Sequence, residues 1–119
     1  EKQRTLASSA SLTGSALHTG ENVTLTILPA PVGHGYKFQR VDLPDEPVVD
    51  AAAWNVKTVE RATTLIQGTV KIHTVEHVLS ALTGMGVDNA LIKMNANEPP
   101  IGDGSASAYI ALIKQAGIV

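Results

Sequence analysis

The sequence has no cysteine and few aromatic residues, and both shortages narrow the classes of protein that it can encode. Because the 119 residues include no Cys, a disulfide scaffold and a thiolate metal site are excluded. A bound metal would need imidazole or carboxylate ligands, and the available histidines are His18, His34, His73 and His77. Aromatic residues make up only 3% of the chain, so aliphatic residues and alanine must fill the core.

A strong charge bias and long apolar runs are also lacking. Eleven acidic and nine basic residues give a net charge of −2, and the charges are scattered, which argues against a nucleic-acid partner. No segment approaches the roughly 18 apolar residues of a membrane span, and the N-terminus lacks the apolar run of a signal peptide. We therefore expect a cytoplasmic protein without a transmembrane segment.

The length of the chain is that of one domain, so residues 1–119 are expected to share a single core. The chain has no initiator Met and stops abruptly at the letters KQAGIV, where a helix would lead into further structure. Both features suggest a fragment of a longer protein.

Alternating apolar and polar residues predict strands up to about residue 72. The clearest case is NVTLTIL, which places Val23, Leu25 and Ile27 on one face. YKFQRV shows a similar pattern, and TTLIQGTVKI is predicted to be a hairpin that turns at Gln67-Gly68. NALIKMN is a later strand.

Two helices are predicted after this region. In the first, an apolar stripe recurs at helical spacing, and Gly84 or Gly86 ends the helix. The stripe consists of Val75, Val78, Leu79 and Leu82. The second covers SASAYIALIKQAG, with Asp103 or Ser105 as its N-cap and Gly117 at its end. The whole pattern predicts an α+β fold, with two helices on one face of a mainly antiparallel sheet.

The letters HTVEH raise the question of a catalytic site, because Glu76 and His77 lie on the helix face that points away from the core. One interpretation is a solvated helix start, in which a first-turn carboxylate complements the helix dipole and Thr74 is a competing N-cap. The other is metal-assisted hydrolysis. Imidazole binds zinc, and the neighbouring carboxylate accepts a proton from the attacking water.

The same five letters match the HxxEH pattern of one group of zinc peptidases, in which His73 and His77 would both bind metal. Such a site needs a third ligand within the chain. The acids that follow are Asp88, Glu98 and Asp103, and none lies in a recognisable ligand motif.

Four blocks, in order and covering nearly the whole chain, carry a family resemblance. They are QRTL, ALHTGENVTLTILPAP, TTLIQGTVKIHTVEHVLSALTGMGVDNALI and NEPPIGDGSASAYIALIKQAGI. Together they resemble the N-terminal domain of the bacterial zinc-dependent UDP-3-O-acyl-N-acetylglucosamine deacetylases of lipid A synthesis.

The resemblance implies a two-domain enzyme whose halves share a ribosomal-S5-domain-2-like architecture, with zinc between them. It implies that Glu76 is the general base, that His77 is a zinc ligand and that His73 is only a polar neighbour. Two further ligands, a His and an Asp, and the His that protonates the leaving amine would come from a C-terminal catalytic domain that is absent here. The implied substrate is UDP-3-O-acyl-N-acetylglucosamine, from which acetate is released, and the chain alone should be inactive.

Substrate contacts are predicted for three further residues in blocks that border the implied active site. His18 lies in LHTG, and Thr63 and Thr64 lie in ERATTL. The alternatives are a turn histidine bonded to the backbone and ordinary threonines on an edge strand.

Two alternatives to a deacetylase domain remain at this level: the HxxEH peptidase, and a non-catalytic binding module with the same architecture. We also expect self-association of the isolated chain, through a helix face that would be unusually apolar once the second domain is removed.

Overall fold

The computed structural model describes residues 3–16, 20–52, 56–59, 62–100 and 107–119. Within these ranges the chain forms eight strands and two helices. The strands are β1 (Ala10–Ser15), β2 (Asn22–Pro29), β3 (Tyr36–Arg40), β4 (Val48–Asp50), β5 (Val56–Val59), β6 (Ala62–Gln67), β7 (Val70–Ile72) and β8 (Ala90–Met94). The helices are α1 (Glu76–Gly84) and α2 (Ser107–Ala116).

The larger sheet has the strand order β1-β2-β8-β3-β4. Its pairs are antiparallel except β3–β8, which is parallel. Val23, Leu25 and Ile27 of β2 are buried, as their alternation predicts, because one face of the sheet carries the core. The α+β class and the mainly antiparallel sheet are confirmed.

The smaller sheet, β5-β6-β7, contains the predicted hairpin. Gln67 pairs with Val70, so the turn residues are Gly68 and Thr69, one position later than the sequence predicts. Gly68 has φ 63°, and a positive φ at the first turn position suits the right-handed twist of the hairpin. The side chain of Gln67 joins the two sheets, because its Nε2 donates to the Val48 carbonyl of β4 at 3.2 Å.

The structure corrects the predicted start of α1 and confirms its end. The N-cap position is Val75, which provides no side-chain cap, so Thr74 is not the N-cap. At the other end the Val87 N–H donates to Leu82 O at 3.0 Å and the Gly86 N–H to Thr83 O at 3.1 Å. With Gly86 at φ 80°, these two bonds form a Schellman motif.

Helix α2 ends as predicted, since Gly117 follows it with φ 81°. Its proposed caps, Asp103 and Ser105, lie outside the described residues. Helix α1 packs against α2, and α2 packs against β1.

The exposed helix face is less apolar than expected. The exposed large apolar residues in the described part of the chain are Val32, Val48, Val56 and Val119, and none of them lies on a helix. The described residues therefore do not show the apolar helix face on which the prediction of self-association was based. Self-association itself stays a prediction. Neither helix within the described ranges has the length and hydrophobicity of a membrane span.

Candidate active site at the start of helix α1

Glu76 is the first residue of α1 and is half-buried. Its Oε2 accepts a hydrogen bond from the Thr63 N–H of β6 at 3.2 Å. In return, the Val75 N–H donates to Thr63 O at 3.1 Å. The carboxylate is thus oriented by the neighbouring strand and also complements the positive end of the helix dipole.

His77 follows Glu76 in the first turn of α1 and is also half-buried. The three buried side chains of this helix are Val78, Ala81 and Leu82. Glu76 and His77 therefore stand outside the buried stripe, as the helical periodicity predicts. A carboxylate and an imidazole next to each other can serve as a proton acceptor and a metal ligand.

His73 has a different environment, because it precedes the helix. Its backbone N–H donates to Asn97 O at 2.7 Å, and its Nδ1 lies 3.2 Å from Thr64 Oγ1. Thr74, which follows it, has φ 57°, in the left-handed region. His73 and His77 therefore do not lie one turn apart on a single helix, which is the arrangement that an HxxEH site needs.

The acids proposed as a third peptidase ligand have other contacts. Asp88 Oδ2 accepts the Arg4 N–H at 2.8 Å, and Glu98 Oε2 accepts the Thr74 hydroxyl at 2.8 Å. Asp103 lies outside the described residues. Within the ranges given above, no group of three or more His, Asp and Glu side chains could hold a metal ion. The geometry thus argues against a self-contained peptidase site.

Of the three residues predicted to contact substrate, the structure describes two, which have different positions. His18 lies outside the described residues. Thr63 is half-buried and contacts Glu76 through its backbone amide, at the edge of the site. Thr64 is 1% exposed and its hydroxyl bonds His73, a position that favours a structural contact over a substrate contact. Contact of these residues with substrate remains a prediction.

Sequence reasoning missed the contact between Glu98 and Thr74. Glu98 is 1% exposed, and a carboxylate is rarely buried so completely unless it is hydrogen-bonded. The available signal was a single glutamate among the small or apolar residues of NANEPPIG. Its partner, 24 residues earlier, is visible only in the fold.

A family model described as LpxC, UDP-3-O-acyl N-acetylglycosamine deacetylase, matches residues 3–119. The chain belongs to this family.

Curated relatives of this deacetylase family match at about half of the positions. UDP-3-O-acyl-N-acetylglucosamine deacetylase of Saccharophagus degradans is 52% identical over 99% of the chain and 39% of that protein. The enzyme of the same name from Methylococcus capsulatus is 50% identical over 98% and 38%. The bifunctional enzyme LpxC/FabZ of Bacteroides thetaiotaomicron is 50% identical over 98% of the chain and 25% of that protein. The chain thus spans well under half of these relatives.

The deacetylase family is associated with zinc, and the described residues fit a part of such a site. The start of α1 offers one imidazole, His77, beside one oriented carboxylate, Glu76. A catalytic zinc commonly has three protein ligands. The described residues at the start of α1 therefore provide fewer donors than a complete catalytic zinc site needs.

Proposed function

We propose that this chain is the N-terminal domain of a zinc-dependent deacetylase that hydrolyses the N-acetyl group of UDP-3-O-acyl-N-acetylglucosamine in lipid A biosynthesis. Residues 1–119 form one domain, and a C-terminal catalytic domain completes the enzyme. Family membership supports this function, and so does the span of less than half of each named relative. The expected place of action is the cytoplasm, where UDP-sugars are substrates of synthesis.

The observation that carries the proposal is the pairing of Glu76 and His77 in the first turn of α1, with the Glu76 carboxylate held by the Thr63 amide. Since Oε2 accepts from that amide, we assign Oε1 as the atom that takes the proton from the attacking water. A carboxylate that is already held in one orientation can accept a proton without a prior rearrangement of its side chain.

His77 is the residue of this chain that would bind zinc. When bound, zinc would act as a Lewis acid and would lower the pKa of the water molecule that it binds. The ring of His73, bonded to Thr64, remains a polar neighbour. A His and an Asp of the second domain would complete the ligands, and a second His would protonate the leaving amine. His18, Thr63 and Thr64 remain the candidates for substrate contacts.

The test compares Glu76→Gln and His77→Ala in the full-length enzyme that contains this chain. We expect Glu76→Gln to keep its zinc and to lose about 10²–10⁴-fold in kcat, which is the usual contribution of a general base. His77→Ala should lose zinc as well as activity. Acetate release and metal content are measured together.

The matched control is His34→Ala, since His34 lies in the loop before β3 and bonds to the Gly35 carbonyl. It should keep wild-type kcat and zinc content. The proposed roles would be wrong if Glu76→Gln retained wild-type kcat, or if His77→Ala retained its zinc.

A further inference from the structure

The segment from His73 to Glu76, which ends on the first residue of the catalytic pair, is fixed by contacts on two sides. On one side, β6 bonds to Val75 and Glu76 through both backbone groups of Thr63. On the other, the loop after β8 accepts the His73 N–H at Asn97 O (2.7 Å) and the Thr74 hydroxyl at Glu98 Oε2 (2.8 Å).

Thr74 has the least ordinary backbone of this segment. Its φ of 57° is in the left-handed region, which a β-branched residue rarely adopts. Such a conformation persists only when the surroundings impose it, and it is found preferentially at functional sites. The side chain of Thr74 is held by its hydrogen bond to Glu98 Oε2, a carboxylate that is 1% exposed.

The left-handed residue directly precedes the N-cap position of α1. Val75 at the N-cap position offers no side-chain cap, so no capping side chain of the helix itself sets its first turn. The conformation of Thr74, together with the bonds of Val75 and Glu76 to Thr63, sets the direction in which the chain enters the helix.

We propose that Glu98 is a positioning residue, which holds Thr74 in the left-handed conformation and so fixes the orientation of Glu76 and His77. This inference rests on the proposed function for its effect on catalysis. Its structural half, the dependence of the helix start on the Glu98–Thr74 bond, stands independently.

The principal variant is Thr74→Val in the full-length enzyme, which keeps the shape of the side chain and removes the hydroxyl. Without the bond, the β-branched residue relaxes toward negative φ and displaces the first turn of α1. We expect kcat to fall about 100-fold with little change in KM, since small displacements of catalytic groups have effects of this size. Thr74→Ser retains the hydroxyl and should restore kcat.

Two further variants separate the conformation from the hydroxyl itself. Thr74→Gly adopts a positive φ without a steric penalty, so it should retain more kcat than Thr74→Val. Glu98→Gln keeps the shape but weakens the bond, and it should lower kcat less than Thr74→Val does. Because the two residues act through one contact, the double variant Glu98→Gln/Thr74→Val should be no slower than Thr74→Val.

The second readout is amide hydrogen exchange in the metal-free protein, measured by NMR. The Val75 N–H, which bonds to Thr63 O, should exchange faster in Thr74→Val, while the Leu25 amide of β2 should not change. Thr5→Val is the matched control, since it removes another partly buried hydroxyl, one that bonds to Asn89 O and Ala30 N. This control is expected to lower the melting temperature only; kcat and Val75 exchange should stay at wild-type values.

The outcomes distinguish the two proposals. Wild-type kcat and Val75 exchange in Thr74→Val would overturn the positioning role of Glu98, as would equal losses of kcat in Thr74→Gly and Thr74→Val. An inactive wild-type enzyme, or a fully active Glu76→Gln, would instead overturn the proposed function. In that case the hydrogen exchange of Val75 would still decide whether the bond positions the helix.

Discussion

Arg40 illustrates how one buried charge is accommodated at the end of a strand. It is 8% exposed, yet its guanidinium donates three hydrogen bonds to two residues. Nε and Nη2 donate to the two carboxylate oxygens of Asp42 at 2.9 and 2.7 Å, and Nη1 donates to Lys71 O at 3.1 Å. The Arg40 hydrogen bond is the main cause that lowers the pKa of Asp42 below its ordinary value. The bond from Arg40 Nη1 to Lys71 O links β3 to β7 of the other sheet.

The residue-scale prediction is that Asp42→Asn destabilises the protein at neutral pH by about 1 kcal/mol, because a charge-assisted bidentate pair is lost. A lowered folded-state pKa stabilises the protein fully above the unfolded value of about 3.9. That contribution decreases as the pH falls below this value and is lost once the pH passes below the folded-state pKa.

Urea denaturation at neutral pH and at about pH 2.5 should therefore show a difference between wild type and Asp42→Asn that shrinks in acid. The control is Asp45→Asn, an exposed residue at φ 63°, a conformation that Asn also tolerates. A difference that stayed constant over this pH range would contradict the assigned role of Asp42.

At the scale of elements, helix α1 shows that two glycines two positions apart have opposite roles. Gly84 is the last helical residue, and Gly86 follows with φ 80° in the Schellman motif. A Cβ added at either position meets nothing within 4 Å. Any difference between alanine substitutions at these positions must then come from the backbone.

We expect Gly86→Ala to cost about 1–2 kcal/mol, because an L-residue is strained in the left-handed conformation. Gly84→Ala should stabilise the protein by about 0.5–1 kcal/mol, since alanine loses less backbone entropy in a helix. Thermal and urea unfolding of the two variants provide the measurement. Changes of the same sign would show that Gly86 is not held in the left-handed conformation.

At the scale of the whole molecule, the first and last described segments of the chain are paired with each other. Thr5 and Val119 exchange backbone hydrogen bonds at 3.1 and 2.9 Å, and the Ala7 N–H donates to Gly117 O at 2.8 Å. Leu6, between them, is 1% exposed and forms a bridge with Ile118. Contacts between residues so far apart in sequence close the fold around one core.

The corresponding prediction is that Leu6→Ala destabilises the domain by about 2–5 kcal/mol, the usual range when a buried leucine leaves a cavity. Val32→Ala is the control, since Val32 is 77% exposed and should change stability by less than about 0.5 kcal/mol. Urea denaturation measures both. If Leu6→Ala behaved like Val32→Ala, the terminal pairing would not be part of the cooperative core.

Local pattern by itself determined the two helices, the strands β2, β3, β6, β7 and β8, and the catalytic candidates, but it did not predict β1, β4 and β5. The buried face of β2 follows from a period of two, and the ends of both helices follow from Gly86 and Gly117. Glu76 and His77 were found in the same way, since adjacency in a first helical turn is a local property. Their chemical roles came from the family resemblance and stay proposals.

Only the tertiary structure decided the rest, because the deciding contacts join residues that are distant in sequence. The division into two sheets and the parallel β3–β8 pair depend on which strands meet, which alternation does not encode. From the sequence alone, Thr74 is an ordinary N-cap candidate. In the fold, the Thr74 hydroxyl instead binds the buried carboxylate of Glu98, 24 residues later, and this contact favours the left-handed conformation. The orientation of Glu76 likewise depends on Thr63 of β6, since a hydrogen-bond donor on another element fixes a side chain only after both elements have packed.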